Sequence, residues 1–326
     1  MGWRWPVRRT AHRILAGVAL VSTAAHAAPI DAGLPVMQEP AVRVDVETGI
    51  GHESQQAPLF QVSPESAIIY LDGVQRHGGG HLRWRVQGSY ESPLDQGRGF
   101  GIQADLQVKR APRERQLDLY SASVQPLWHV AWGGDSIGGG LDLQTMGVAG
   151  QAFRDSASWV GHWTRPVPGG LWALIGEWGR DRHHGDFSDM DARIHNAVLQ
   201  RRWNEPFHGV NGATLTVLAG RESNQRGLPE LSHRSLMFSA SLEGSSAGLD
   251  WTLRASRLTA RFDAGVFAGE AARRDRTSML DAIVEWPVTD LDDVRLEWNL
   301  LDNRSSVRLY DTRYRQWSLS WSRHWR

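Results

Sequence analysis

The sequence predicts an all-β protein, an antiparallel up-and-down transmembrane β-barrel of about 14 strands, with 16 the next even count. Three observations predict it. Apolar and polar residues alternate over segments of about 10 residues, the period of a strand with two unlike faces. The connections between these segments are long at one end and mostly short at the other, as in a membrane barrel with tight periplasmic turns. The 326 residues include 16 Trp beside 5 Tyr and 8 Phe, and Trp is favoured where one ring edge is apolar and the other wet.

Composition removes several classes. With no Cys there is no disulfide scaffold, thiolate metal site or Cys nucleophile. Basic and acidic residues balance at 36 each, so the chain lacks the basic excess of a nucleic-acid binder. A mean hydropathy of -0.41 and no long apolar run past the N-terminus exclude a helical membrane protein. Residues 1–27 read as a signal peptide. Arg4, Arg8, Arg9 and Arg13 precede the apolar Ile14 to Val21, and Ala25-His26-Ala27 is a small-x-small cleavage site. Losing those arginines leaves the remainder mildly acidic. Residues 28–65 read as a periplasmic linker or a first-strand segment, and 66–326 as the barrel.

The clearest strands lie near the C-terminus. Val294, Leu296, Trp298 and Leu300 oppose Arg295, Glu297 and Asn299; Trp317, Leu319 and Trp321 oppose Gln316, Ser318 and Ser320; Leu249, Trp251 and Leu253 oppose Asp250, Thr252 and Arg254. Counting back, strands fall at 66–74, 81–91, 98–110, 116–132, 136–147, 154–166, 169–182, 190–203, 211–223, 232–244, 247–261, 275–287, 292–303 and 313–325. Segment 116–132 changes phase near Ser121–Val124, which predicts a β-bulge. Residues 41–50 also alternate, through Val42, Val44 and Val46. Counting them gives an odd number, so they lie in the periplasm or lumen, or the count is wrong elsewhere.

A strand of about 11 residues tilted by about 40° covers roughly 28 Å, the thickness of a lipid core. With both termini periplasmic, Trp132, Trp163, Trp172, Trp203, Trp251, Trp286 and Trp325 gather near the periplasmic end as an interfacial girdle. A soluble sandwich has no reason to collect its Trp at one end of alternate strands. The opposite faces predict lumen-lining residues: Arg83, Arg85, Asp105, Lys109, Asp142, Arg254, Asp281, Glu285, Arg295 and Glu297. Their mixed sign argues against a strongly ion-selective pore. It suits a wet channel with cross-lumen pairs or a lumen closed by salt bridges. The run Gly138-Gly139-Gly140 marks a bend or the close approach of a plug.

Candidate chemistry is sparse. The stretch 180–191 groups His183, His184, Asp186, Asp189 and Asp191. It could bind a metal or serve a surface hydrolase, but the plainer reading is a solvated loop, since adjacent His lack the i, i+4 spacing of a metal site. There is no Gly-x-Ser-x-Gly elbow, His-Glu-x-x-His or P-loop. Ser232 with His233, or Asp281 with Glu285, fits a catalytic role less well than plain lumen-facing positions. No catalytic residue, metal or cofactor is therefore expected. Lys109 is the one Lys in the chain. Arginines such as Arg273, Arg274 and Arg276 could meet lipopolysaccharide phosphates, although a GC-rich codon bias explains an Arg-rich chain as well.

The run Leu127-Trp128-His129-Val130-Ala131-Trp132-Gly133-Gly134-Asp135-Ser136, then Arg165-Pro166 and Gly169-Gly170-Leu171-Trp172, has the cadence of one barrel group. So do Val294-Arg295-Leu296-Glu297-Trp298 and the stretch Asn303 to Arg313. These resemble the C-terminal barrel of the surface lipoprotein assembly modifier family and related export barrels, over about residues 66–326. Members of that family carry a helical repeat region ahead of the barrel, and residues 28–65 show no such repeat. The resemblance implies a non-enzymatic barrel that helps export a surface lipoprotein or polysaccharide. Architecture alone equally allows a passive porin, and a surface hydrolase is the third alternative. Expected partners are outer-membrane lipid and lipopolysaccharide, the barrel-assembly machinery and an exported lipoprotein or polysaccharide. No nucleic-acid partner is expected.

Overall fold

The computed structural model describes residues 41–62, 68–92, 97–207, 209–266 and 269–325. The leader at 1–27 and the stretch 28–40 lie outside them. Fourteen strands close into one antiparallel barrel in sequence order. They are β1 Ala41–Val62, β2 Ile68–Glu91, β3 Arg98–Arg110, β4 Leu119–Trp132, β5 Asp135–Val148, β6 Gln151–Val167 and β7 Gly170–His183. The second half comprises β8 Ala192–Phe207, β9 Val210–Asn224, β10 His233–Ser246, β11 Leu249–Phe262, β12 Arg274–Pro287, β13 Asp292–Ser305 and β14 Thr312–Trp325.

The strand number is reached by a different route from the sequence count. Residues 41–50 belong to β1, which pairs with β14 from Val44↔Trp325 to Gln56↔Arg313 and closes the barrel. The barrel therefore begins at Ala41 rather than at residue 66. The two segments 66–74 and 81–91 are one strand, β2. The break left between them, 75–80, holds Gly78-Gly79-Gly80, which runs extended opposite Glu53 and its neighbours. A side chain on Gly78 would collide with the Glu53 carbonyl, so the missing Cβ lets β1 and β2 stay in register.

The bulge expected near Ser121–Val124 is absent. β4 holds one register with β3 throughout, and Leu117 belongs to a 3-10 turn before the strand. Register shifts fall instead at Pro58/Phe60, Met146/Gly147 and Asn204/Phe207. Gly138–Gly140 makes no bend, since pairing with β6 is unbroken across it.

The two ends differ. Two-residue turns follow β4, β6, β8 and β10, at the end where β1 begins and β14 finishes. At the other end β3, β7 and β9 are followed by eight residues each and β11 by 11. The exception is Ala149-Gly150, whose φ values of 54° and 77° make a two-residue hairpin of the primed kind. Beyond the barrel rim the β1–β2 hairpin continues past the last β14 partner, Gln56, to Val62↔Ile68.

Candidate functional site: the barrel wall and its interior

Alternation along each strand sends every second side chain outward. Of the 16 Trp, positions 3 and 5 lie outside the described residues, and the remaining fourteen all stand on the outer face. The register fixes this. Trp325, Trp321 and Trp317 share a face with Val44, Thr48 and His52, and Trp298, Trp286 and Trp251 follow through β13, β12 and β11. Trp178, Trp159 and Trp132 are 61%, 56% and 71% exposed. In water such a surface would be a standing aggregation hazard; wetted by acyl chains it is a favourable one. Trp132, Trp163, Trp172, Trp203, Trp251, Trp286 and Trp325 each lie within five residues of the short-turn end of their strand.

Burial is inverted inside the barrel. Among the described residues, 24 polar or charged side chains are buried against 12 apolar ones, the reverse of a soluble core. Apolar outside and polar inside, with an even strand number and both ends of the sheet at the short-turn rim, is the build of an outer-membrane barrel. Fourteen strands spaced about 4.8 Å apart and tilted about 40° enclose a backbone cylinder roughly 28 Å across.

Arg83, Arg85, Asp105, Lys109, Asp142, Arg254, Asp281, Glu285, Arg295 and Glu297 all occupy inward positions of their registers. They do not act as one site. The densest group lines the β1–β14 seam. Arg83 on β2 reaches past β1 and β14 to Glu297 Oε2 on β13 at 2.7 Å, and meets Glu47 Oε1 on β1 at 3.2 Å. Arg295 lies 3.5 Å from Glu285 and 3.9 Å from Glu297, whose other oxygen accepts from Asn299 at 3.1 Å. One turn toward the loops, Glu53 accepts from Lys109 Nζ at 2.8 Å and from the Tyr314 hydroxyl at 2.8 Å. At the short-turn rim His324 bridges Asp45 at 2.5 Å and Asp293 at 2.8 Å. Of these contacts Arg83–Glu297, Tyr314–Glu53 and His324–Asp45 cross the seam, and the rest stay on one side of it.

A second group lies on β5 to β8. Buried Asp181 accepts from Ser156 Oγ at 2.5 Å and pairs with Arg154 Nη1 at 3.3 Å; Arg154 also donates to Gln144 at 2.7 Å. Glu177 accepts from Asn196 at 2.8 Å. Elsewhere Arg85 pairs with Asp105 at 2.7 Å, and Arg254 lies directly opposite Asp281. Asp142 lies opposite Ser158 and makes no ion pair among the described residues.

Glycine seats two inward imidazoles. The space a Cβ would fill at Gly51 holds the His81 ring, 2.6 Å from Nε2, and at Gly138 it holds the His162 ring, 2.5 Å from Nε2. The triglycine run is therefore a seat for side chains of adjacent strands rather than a bend.

The remaining candidates separate. His183 is buried edge-on to Phe153, while His184 bonds Asp155 at 2.8 Å and Asp189 pairs with Arg226 at 2.5 Å. Asp191 accepts from the His183 backbone N–H at 2.6 Å, so this loop spends its groups on its own shape. No metal-holding cluster occurs among the described residues. Ser232 Oγ accepts from the Asn224 N–H at 2.9 Å and donates to the Leu228 carbonyl, a loop closure rather than a partner for His233. Arg273 is buried between the Phe262 and Tyr310 rings, 3.4 and 3.9 Å from their centroids, so unlike Arg274 and Arg276 it cannot meet a lipid. Sequence reasoning missed Glu53 and Tyr314, and it placed Glu47 and His324 only as polar alternates of their segments. The alternation of 41–50 carries Glu47, and adding it as a strand beside 313–325 would have found the group.

No protein-family model matches the sequence, and no curated protein matches it. Solved structures with a similar fold include OccK9 (OpdG) of Pseudomonas aeruginosa, 9% identical, covering 90% of this chain and 100% of that one at a TM-score of 0.48. An anion-selective porin from Comamonas acidovorans is 8% identical, covers 88% and 99%, and scores 0.46. OmpT of Vibrio cholerae is 7% identical, covers 89% and 100%, and scores 0.45.

Proposed function

We propose that the chain is a channel in the outer membrane of a Gram-negative bacterium, passing small hydrophilic solutes by diffusion and catalysing no reaction. One observation carries this reading: the interior ion pairs run along the wall. Each interior ion pair among the described residues lies on one strand or between strands no more than three apart, and none joins the seam group to the group on β5 to β8. Such pairing leaves the axis of a roughly 28 Å cylinder unbridged. The seam carries both signs, while β5 to β9 set Asp142, Glu177, Asp181 and Glu222 around Arg154, so the acidic excess is a patch on one sector and not a ring of one charge.

The test is conductance of the refolded barrel in planar bilayers with liposome swelling in sugars of graded size. Stable steps, weak ion selectivity and a size cut-off are expected. Sealed liposomes that contain folded barrel yet neither conduct nor swell would refute the reading. A second reading, an export or assembly barrel, is favoured by the resemblance of 127–172 and 294–313 to export barrels. Loss of a surface lipoprotein or polysaccharide in a deletion strain, with unchanged sugar uptake, would select it instead.

A further inference from the structure

The outer face carries a feature that a diffusion channel does not require. At the long-loop end, Arg221, Arg234, Arg261 and Arg274 stand directly opposite one another on four consecutive strands, β9 to β12. They share the outward face of Val217, Phe238, Leu253 and Leu280. Arg276, one outward position below Arg274, faces Arg304 on β13. Arg221 is held by Asp263 at 2.8 and 2.5 Å. Among the described residues Arg234, Arg261, Arg274 and Arg276 are exposed and make no ion pair.

Like charges directly opposite one another in a sheet are destabilising. With strands about 4.8 Å apart, the row packs four guanidinium groups into roughly 15 Å. The outward arginines at the other rim are arranged differently. Arg165 pairs with Asp135 at 2.8 Å, Arg201 lies over the Trp172 and Trp203 rings, and Arg323 lies over Trp325. Arg98 at that rim is exposed without an ion pair but stands alone, opposite Val130, whereas Arg234, Arg261 and Arg274 stand opposite one another unpaired among the described residues. Beneath the loop-end row the wall first mixes Leu236 and Phe238, 42% and 54% exposed, with Thr259 and with Arg257, which donates to Ser278, and then becomes apolar through Ala240, Ala255 and Leu280.

We propose that this row is a binding site for the phosphates of a phosphorylated glycolipid of the outer leaflet, whose acyl chains lie on the apolar wall below. Guanidinium presents a planar fork that grips phosphate oxygens in pairs. The joined apolar surface selects a lipid over free phosphate. The proposal rests on the reading that the barrel spans the membrane with its long loops outside.

The test titrates the barrel, refolded in detergent micelles, with bisphosphorylated lipid A, its monophosphorylated and dephosphorylated forms, and inorganic phosphate, and reads binding by native mass spectrometry. Wild type is expected to bind the bisphosphorylated form about tenfold more tightly than the monophosphorylated one, as one charged hydrogen-bonded contact is lost. Arg234→Gln/Arg261→Gln/Arg274→Gln is expected to weaken it at least about 100-fold, while Arg165→Gln/Arg201→Gln/Arg323→Gln leaves it unchanged. Equal binding by both triples, indifference to phosphate number, or full displacement by millimolar inorganic phosphate would overturn the proposal. Should the first triple not refold, Arg261→Gln alone is expected to cost about tenfold. Folding is read separately as the fast-migrating band on unheated gels. A barrel that refolds but inserts into no vesicle sinks the membrane reading; one that inserts and ignores phosphate sinks only the lipid site.

Discussion

Replacing Arg83 with Leu tests whether the seam charges hold the barrel closed. Arg83, Glu47 and Glu297 are 5%, 7% and 8% exposed. Removing the guanidinium affects the two carboxylates unequally. Glu297 keeps Arg295 at 3.9 Å and the Asn299 amide at 3.1 Å. Among the described residues Glu47 pairs with no other cation. Breaking a buried pair from one side costs about 3–5 kcal/mol. Because Glu297 retains a partner and the lumen is polar, about 2–3 kcal/mol is expected here. At a guanidinium slope near 5 kcal/mol/M the midpoint falls by about 0.5 M. The assay is a guanidinium titration of the micelle-refolded barrel followed by Trp fluorescence. Glu47→Gln alone leaves Arg83 with Glu297 and is expected to cost only about 1 kcal/mol. The double variant Arg83→Leu/Glu47→Gln should recover at least about 1 kcal/mol of the Arg83→Leu loss, since no buried carboxylate is then orphaned. Strictly additive losses, or an unchanged midpoint in Arg83→Leu, would refute the account of the seam.

Three further outcomes follow from the geometry. Gly51→Val drives a branched side chain into the His81 ring and the Trp317 backbone carbonyl; a loss of about 1–3 kcal/mol is expected by the same titration, with Gly176→Val as a control that meets nothing within 4 Å. Replacing Trp203 and Trp286 together by Ser should slow vesicle insertion measured by stopped flow, leaving detergent-refolded stability nearly unchanged, because both rings sit on the outer face near the short-turn rim. In the loop after β11, hydrogen bonds from Arg221 hold the Asp263 carboxyl below its ordinary value. That contact is complete above about pH 4 and is lost as pH falls through the depressed value. Proteolysis within 263–273 should stay unchanged from pH 7 to pH 5 and rise only as the pH falls below about 4 through the depressed value, whereas Asp263→Asn should nick throughout.

Much of this barrel is legible in the sequence because period-two alternation is a local property. Strand 98–110 is β3 to the residue, and most later strands differ at their ends by one to three residues. Parity alone also places Arg83, Asp142 and Glu297 on the inward face, whatever their partners. Reading fails where the local signal has two meanings. The break at 75–80 holds Gly78–Gly80, and glycine is common in turns; only the Glu53 carbonyl lying across Gly78 shows that an extended strand also needs it. Counting that break and omitting 41–50 were two errors of opposite sign, so the strand number survived while the seam was lost. Partners are illegible for another reason. Arg83 and Glu297 are 214 positions apart and meet because β1 pairs with β14, which brings β2 and β13 to within three strand spacings. Arg273 reads like Arg274, yet one is stacked between two rings and the other is exposed.

The placement of the charges bears on the choice between a channel and a closed lumen. A barrel sealed by salt bridges would pair residues on opposing walls, and each would reach inward along a radius. Here the longest interior contact, Arg83 to Glu297, cuts a chord across three strand spacings, and Lys109 to Glu53 crosses two. On a cylinder of about 14 Å radius, a three-strand chord passes roughly 11 Å from the axis. The pairs therefore thicken the wall at the seam and do not close the bore. Pairing on the wall also lowers the self-repulsion of the lining and avoids the trap that a fixed charge on the axis would set for a permeating ion. The same contacts stabilise the one junction that local hairpins cannot make, between the first strand and the last. Seam closure and an axis that no ion pair among the described residues bridges are then two results of one arrangement, and on the proposed channel reading loosening the first by Arg83→Leu should leave single-channel conductance in surviving barrels close to that of the wild type.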